Sequence, residues 1–211
     1  MCYHRAGAFK NMGLRKIATY ISVEDYLTGE KDSPVKHEYV DGYIYAMAGA
    51  SKRHNRIAIN LTRRLDEHLE GQSCEVFIGD MKVYVSPTIY YYPDVVVACD
   101  PPDGDEYTSH QPILIIEVLS ASTAKTDRRE KLRNYRNLPG LLEYVMVAQD
   151  RVRIETWRRR EGDEWEIEFL TRLDDTLELE SVGLSVSVAQ VYRNVRLDEV
   201  LGPEEPEESL P

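Results

Sequence analysis

Apolar residues fall along the chain with two different periods. In "SKRHNRIAINLTRRLDEHLEG", Ile57, Leu61, Leu65 and Leu69 recur at i+4 spacing. That spacing puts them on one stripe of a helix, with Ser51 as its N-cap and Gly71 as its stop. "ISVEDYLTGE" predicts a shorter helix, capped by Ser22 and with an acid three residues further on. "KHEYVDGYIYAMAGA" predicts a hairpin, because Asp41-Gly42 is a favoured two-residue turn between strand-like flanks. "CEVFIG" and "MKVYVS" read as strands divided by Gly79-Asp80. "PDVVVAC", "ILIIEVLS" and "LLEYVMVA" are Val- and Ile-rich runs of strand length, of the kind buried on both faces. "TDRREKLRNYRN" predicts a helix ended by Pro139-Gly140. "RVRIETWRRR" and "EWEIEFLTRL" predict a two-stranded ribbon, and "LSVSVAQVY" a terminal helix. The resulting order is that of an α/β chain, a mixed sheet flanked by helices.

Two residues break the apolar pattern at the ends of core strands. Asp94 opens "PDVVVAC", and Glu117 lies late in "PILIIEVLS". A lone buried carboxylate costs several kcal/mol (roughly) unless something pairs with it. Glu117 therefore calls for a protein cation, a metal ion or an exposed position. The 23-residue separation suits neighbouring strands joined by a loop. Side by side, the two acids repel each other. Converging carboxylate oxygens suit Mg²⁺ or Mn²⁺, which take one or two carboxylates and keep several waters. The plainer reading has Asp94 capping a turn after Pro93 and Glu117 paired with an arginine.

Composition narrows the setting. A chain of 211 residues suits one domain. It holds no run of about 18 apolar residues, so no membrane span is expected. The basic start lacks the apolar stretch of a secretory signal, and Met12 is a second candidate start. Cys2, Cys74 and Cys99 suggest neither a disulfide framework nor a zinc site, and fit a reducing cytoplasm. Residues 1–15 read as a disordered extension, 16–197 as the domain, and 198–211 as a disordered acidic tail. The net charge of −11 argues against a nucleic-acid partner. Six of those charges lie in 198–211, however, and the remainder amounts to −5. Basic clusters at "SKRHNR", "TDRREKLRNYR" and "TWRRR" leave room for a local basic face, although each also reads as a solvated helix or hairpin face.

"SVEDYLTGEKDSPVKHEYVDGYIYAMAGAS", "YPDVVVAC" and "ILIIEVLSASTAKTDRREKLRNYRNLPGLLEYVMV" together resemble the Uma-two family of endonucleases, within the PD-(D/E)XK, restriction-endonuclease-like superfamily. The likeness covers about residues 16–195. It implies a restriction-endonuclease-like core in the αβββαβ arrangement and a DNA-cleaving activity that uses Mg²⁺ or Mn²⁺. Residue by residue, it implies Asp94 and Glu117 as metal ligands, the backbone carbonyl of Val118 as a third, and Glu38 as a further acid near the site. The sequence departs from the superfamily pattern two residues after Glu117, where Leu119 replaces the expected lysine. Lys131, on the following helix and on one face with Tyr135, is the candidate replacement. On that reading its charge serves the chemical step and matters little for folding. Lys125 and Lys82 are weaker candidates.

Arg128 and Tyr135 on that helix, with Ser120 and Ser122 in the loop before it, are candidates for contacting nucleic acid. The two serines also read as caps. His54 reads as a hydrogen-bonded structural histidine. Tyr90, Tyr91 and Tyr92 suit either strand packing or stacking on an unpaired base. The leading reading is a cytoplasmic, metal-dependent deoxyribonuclease with DNA as partner, and a homodimer as one expected assembly. The alternative is a non-enzymatic nucleic-acid- or protein-binding module that retains the fold. A two-carboxylate glycosidase is a weaker third reading, because the chain offers few aromatic subsites.

Overall fold

The computed structural model describes residues 20–101, 104–120 and 123–198. Ser122, the 1–15 extension and all of the acidic tail beyond Asp198 lie outside the described residues. Helix α1 (Val23–Lys31) starts at Ser22, whose hydroxyl accepts the Asp25 N–H at 3.1 Å. Strands β1 (His37–Val40) and β2 (Tyr43–Ala46) form the expected hairpin. Asp41 and Gly42 both turn with positive φ, 48° and 90°, which Gly supplies without steric cost. Helix α2 (Lys52–Leu69) is capped by Ser51, again through the hydroxyl.

The strands form two main sheets. Strands β4 (Lys82–Ser86), β5 (Ile89–Tyr91) and β7 (Thr108–Ser109) join the hairpin in the order β2-β1-β5-β4-β7. The second sheet uses β3 (Glu75–Ile78), β6 (Val95–Ala98), β8 (Pro112–Leu119), β9 (Glu143–Ala148), β10 (Ile154–Arg159) and β11 (Trp165–Leu170), in the order β11-β10-β9-β8-β6-β3. Strands β8 and β9 run parallel and the other pairings are antiparallel, so this sheet is mixed as expected.

Strand alternation decides which side chains meet. Val95, Val97, Leu114, Ile116 and Val118 pack with the Ile57–Leu61–Leu65–Leu69 stripe of α2. Val96, Ile115, Leu119, Tyr144 and Met146 form the other face, with Tyr135 and Leu132 over them and Val83 and Tyr91 of the first sheet beside them. By the same period of two, Glu117 shares this second face with Ile115 and Leu119. The apolar runs are thus buried on both faces because a helix covers one side and a helix plus a second sheet cover the other.

Three expectations are corrected. "LSVSVAQVY" is not one helix: Leu184–Ser187 is strand β13, paired with β12 (Thr176–Leu179), and only Val188–Val191 is helical, as α5. Leu177, Leu179 and Val186 reach the α2 core from that hairpin, an alternation that a short β-branched run disguises. The predicted helix after β8 exists, but it widens. It begins as α3 (Ala124–Thr126), passes through a π turn over Asp127–Lys131, and resumes as α4 (Leu132–Tyr135). Finally, Cys74 and Cys99 are disulfide-bonded. They flank the Glu75–Ala98 pair of neighbouring strands, which brings their Cα atoms to 4.2 Å. The inference from unpaired cysteines to a reducing cytoplasm loses its footing. Among the described residues no helix is long and apolar enough to cross a membrane.

Alkylation of the denatured chain without reductant is expected to label one thiol, that of Cys2, and with reductant three. Three labels without reductant would contradict the bond.

Candidate active site

Four structural units deliver charged side chains to one buried point. Glu38 comes from β1, on the strand face opposite Tyr39, which packs under α1. Glu117 comes from β8. Asp94 immediately precedes β6, and continuing the β6–β8 register by one residue sets it opposite Glu117. The π turn supplies Asp127 and Lys131. The Lys131 ammonium lies 2.7 Å from Glu38 Oε1, 2.9 Å from Glu117 Oε1 and 3.6 Å from Asp127 Oδ1. Tyr135, one turn on, donates to Glu117 Oε1 at 3.3 Å. The protein cation that pairs with buried Glu117 is thus a lysine from the next helix.

The wide turn has a physical role in this meeting. The Leu132 N–H reaches back to the Asp127 carbonyl, and the Tyr144 hydroxyl donates to that same carbonyl at 3.2 Å. A π turn alters the angle between Asp127 and Lys131 relative to an α turn, and both side chains end up buried, 1 % and 6 % exposed. Tyr91, Tyr135 and Tyr144 wall the cluster, with ring centroids 5.4 and 5.1 Å apart along the series.

Asp94 is oriented by two donors on one oxygen. Val118 N–H lies 2.6 Å from Oδ2, and His54 Nε2 lies 3.0 Å from the same atom. His54 Nδ1 is buried and has no hydrogen-bond partner among the described residues. This fits the tautomer with the proton on Nε2, donating to Asp94. The opposite oxygen, Oδ1, is left for another partner.

Electrostatically the cluster is unbalanced. Burial holds the Glu117 and Glu38 carboxyls above the usual carboxylate range, against the pull of Lys131. Burial raises Asp127 likewise. For Lys131, burial acts to lower the pKa, but Glu117, Glu38 and Asp127 outweigh it and hold the ammonium charged. One cation therefore faces four carboxylates, Asp94 included. Asp127 Oδ1 is buried without a hydrogen bond. Such a set of hard oxygen donors in excess of positive charge fits a divalent cation of the Mg²⁺ or Mn²⁺ class. Among the described residues, no three His, Cys, Asp or Glu side chains form a ready metal cage. A Mg²⁺-type ion needs only one or two carboxylates, because it keeps its waters.

The site differs from the sequence-based expectations at several residues. Tyr135 is fully buried on Glu117 and does not face a nucleic acid. Arg128 is committed to Glu155, through Nε at 2.9 Å and Nη2 at 2.7 Å. Ser120 bonds Thr123 at the helix entry, the capping use. Tyr90, Tyr91 and Tyr92 are all buried, which decides for packing over base stacking. Lys82 is buried under α1, 5.7 Å from the Tyr26 ring, and not among the site's carboxylates. Lys131 is not a surface lysine, and its charge matters to folding as well, since three carboxylates depend on it. His54 is hydrogen-bonded, as its place at the start of the apolar stripe suggests, and its partner is Asp94, which the stripe alone does not reveal.

Comparisons with known proteins agree with this fold. A family model, Uma2, described as "Putative restriction endonuclease", matches residues 23–189. The "Uncharacterized protein slr1290" of Synechocystis sp. (strain ATCC 27184 / PCC 6803 / Kazusa) is 39% identical over 178 residues, covering 83% of this chain and 93% of that protein. From the same organism, "Uncharacterized protein sll1609" is 34% identical over 149 residues, covering 69% and 84%. A crystal structure from Anabaena variabilis ATCC 29413, titled as a "putative nuclease belonging to DUF820", superposes with a TM-score of 0.68 at 16% identity, over 82% of this chain and 97% of that one. At that identity it shows a shared fold.

The raised carboxyl pKa gives a signed prediction. Glu117 binds its proton more tightly folded than unfolded, so its ionisation costs stability as pH rises from about 4.5 through the folded pKa. Without metal, Glu117→Gln should match the wild-type Tm near pH 4 and exceed it at pH 7.5 by a few °C, the scale of about 1 kcal/mol in a chain of this size. Lys131→Gln should show the reverse, a Tm loss at pH 7.5 that shrinks toward pH 4 as its carboxyl partners take up protons. A Glu117→Gln Tm below wild type at pH 7.5 would contradict the imbalance.

Proposed function

The chain belongs to the Uma2 family, and on that premise we propose that it is a metal-dependent nuclease that hydrolyses DNA phosphodiester bonds. The observation that carries this reading is the single ammonium of Lys131 inserted between Glu38 and Glu117, with Asp94 beside them. It supplies the cation that Leu119 cannot, from the neighbouring helix. Asp94 and Glu117 would hold the ion, with the Val118 carbonyl as a third ligand and Glu38 at its margin. When bound, a Mg²⁺ or Mn²⁺ ion activates water and stabilises charge on the phosphoryl group.

The protein's own groups divide the remaining work. His54 and the Val118 N–H hold Asp94 Oδ2, which leaves Oδ1 as the oxygen for a ligand. Tyr135 and Lys131 both hold Glu117 Oε1, which leaves Oε2 as the oxygen available to a ligand. Glu38 keeps the ammonium from collapsing wholly onto Glu117. The Lys131 charge then serves two ends, orienting the attacking water and offsetting the charge that develops on the phosphate. Burial strengthens that effect because little solvent screens it.

The test is cleavage of a labelled DNA duplex with Mg²⁺ or Mn²⁺. Asp94→Ala and Glu117→Ala are each expected to abolish cutting while the chain stays folded. Lys131→Gln is expected to slow it by about 10²-fold or more, the scale of losing one such contact, and Lys131→Arg to restore it only in part, since a planar guanidinium places its charge differently. A folded wild-type protein that binds duplex but is inert with both metals would favour the binding-module reading.

A further inference from the structure

A second feature of α2 concerns what surrounds the cut. The first two turns of this helix and residues 194–196 enclose an open cleft of about 630 Å³. Its charged lining is Lys52, Arg53, Arg56 and Arg196, with Asn55 and Asn194 between them and no acid. On a chain of net charge −11 this is a local reversal of sign. Among the described residues Lys52, Arg56 and Arg196 make no ion pair, so nothing among those residues offsets their mutual repulsion. The wall is fixed: Asn60 Nδ2 donates to the carbonyls of Val191 and Arg193, both at 2.9 Å, and Asn194 turns with φ 62°. The fourth cation, Arg53, already holds an oxyanion, the Asp198 carboxylate at 2.7 Å. Asp198 is the first of six acids in 198–211, a stretch with no Lys or Arg.

The cleft is joined to the candidate site through one residue. His54, between Arg53 and Asn55, contacts Asp94 Oδ2 at 3.0 Å. We propose that the α2 cleft docks the phosphate backbone of duplex DNA flanking the bond that is cut. This rests on the nuclease reading for the identity of the polyanion. Three cations without an ion pair among the described residues, interleaved with amide donors, match the two kinds of group that contact phosphates without reading sequence. A second basic groove, beside Trp165, holds Arg129, Arg133 and Arg136. There Arg136 stacks between Trp157 and Trp165, and Arg159 is consumed by three backbone carbonyls and Asp163. That groove also carries an acid, Asp163, in its lining, and it makes the fitting control.

The test measures anisotropy of a fluorescein-labelled 20-base-pair duplex with the full chain, in EDTA so that nothing is cut. Lys52→Glu/Arg56→Glu/Arg196→Glu is expected to weaken binding at least tenfold at about 100 mM salt. It should also flatten the slope of log K against log salt by about 2–3, as three lost phosphate contacts require. Hydrolysis of bis(p-nitrophenyl) phosphate, too small to span the cleft, should not change. Should charge reversal unfold the chain, the triple Gln variant is expected to move both readouts in the same direction. Unchanged affinity and slope in a folded triple variant would overturn the proposal, as would absence of duplex binding by the wild type. Loss of affinity in Arg129→Gln/Arg133→Gln/Arg136→Gln instead would assign the DNA path to the other groove. A wild type that binds duplex through the α2 cleft yet hydrolyses neither substrate would sink the nuclease reading and leave the cleft standing.

Discussion

The buried ammonium of Lys131 ties the two main sheets together. Glu38 belongs to one sheet, Glu117 to the other, and the lysine to the helix that covers both. Without it, two buried carboxylates would face each other across the junction of the sheets, each desolvated and neither paired. Breaking a buried pair by removing one partner costs about 3–5 kcal/mol. The same contact fixes the angle of the helix, the position of the tyrosines that exclude water, and the side of Glu117 that remains open. Structure and candidate chemistry therefore share one interaction.

The ammonium does not balance the site. The carboxyls of Glu38, Glu117 and Asp127 are all pushed up by burial, with Asp94 adding its repulsion to Glu117 and Asp127. A fold that only needed to be stable would have little use for four acids around one lysine, since apolar replacements of buried ion pairs are often neutral or stabilising. The excess is understandable if a second, mobile cation completes the site. His54 fits the same account. Its Nε2 meets an Asp94 oxygen already engaged by a backbone N–H, which orients the carboxylate.

Much of the fold was legible because its elements are locally consistent. The α2 stripe, the Asp41-Gly42 turn and the three Val- and Ile-rich runs each carry one period and one set of end signals. Asp94 and Glu117 stood out as charges where the pattern demanded apolar residues, and strand alternation then sent Glu117 to the face of the Lys131 helix. The failures also have local causes. A π turn leaves no mark in a sequence that reads as an ordinary helix, so the burial of Asp127 and Lys131 together was invisible. Strand β13 and α5 share one short apolar run, in which a period of two and a helical period cannot be told apart. The Cys74–Cys99 bond depends on strand register, which spacing alone does not give. The charged neighbours of Tyr135 suggest exposure, whereas two aromatic contacts, with Tyr91 and Tyr144, and Glu117 hold it inside.

The central claim is that the carboxylate cluster holds a divalent cation. Calorimetric titration of the metal-free chain with Mn²⁺ tests it most directly. The account predicts saturable binding that is lost in both Asp94→Ala and Glu117→Ala and retained in Lys131→Gln, since the lysine is not a ligand. Absence of binding by the wild type, or equal binding by all four proteins, would contradict it.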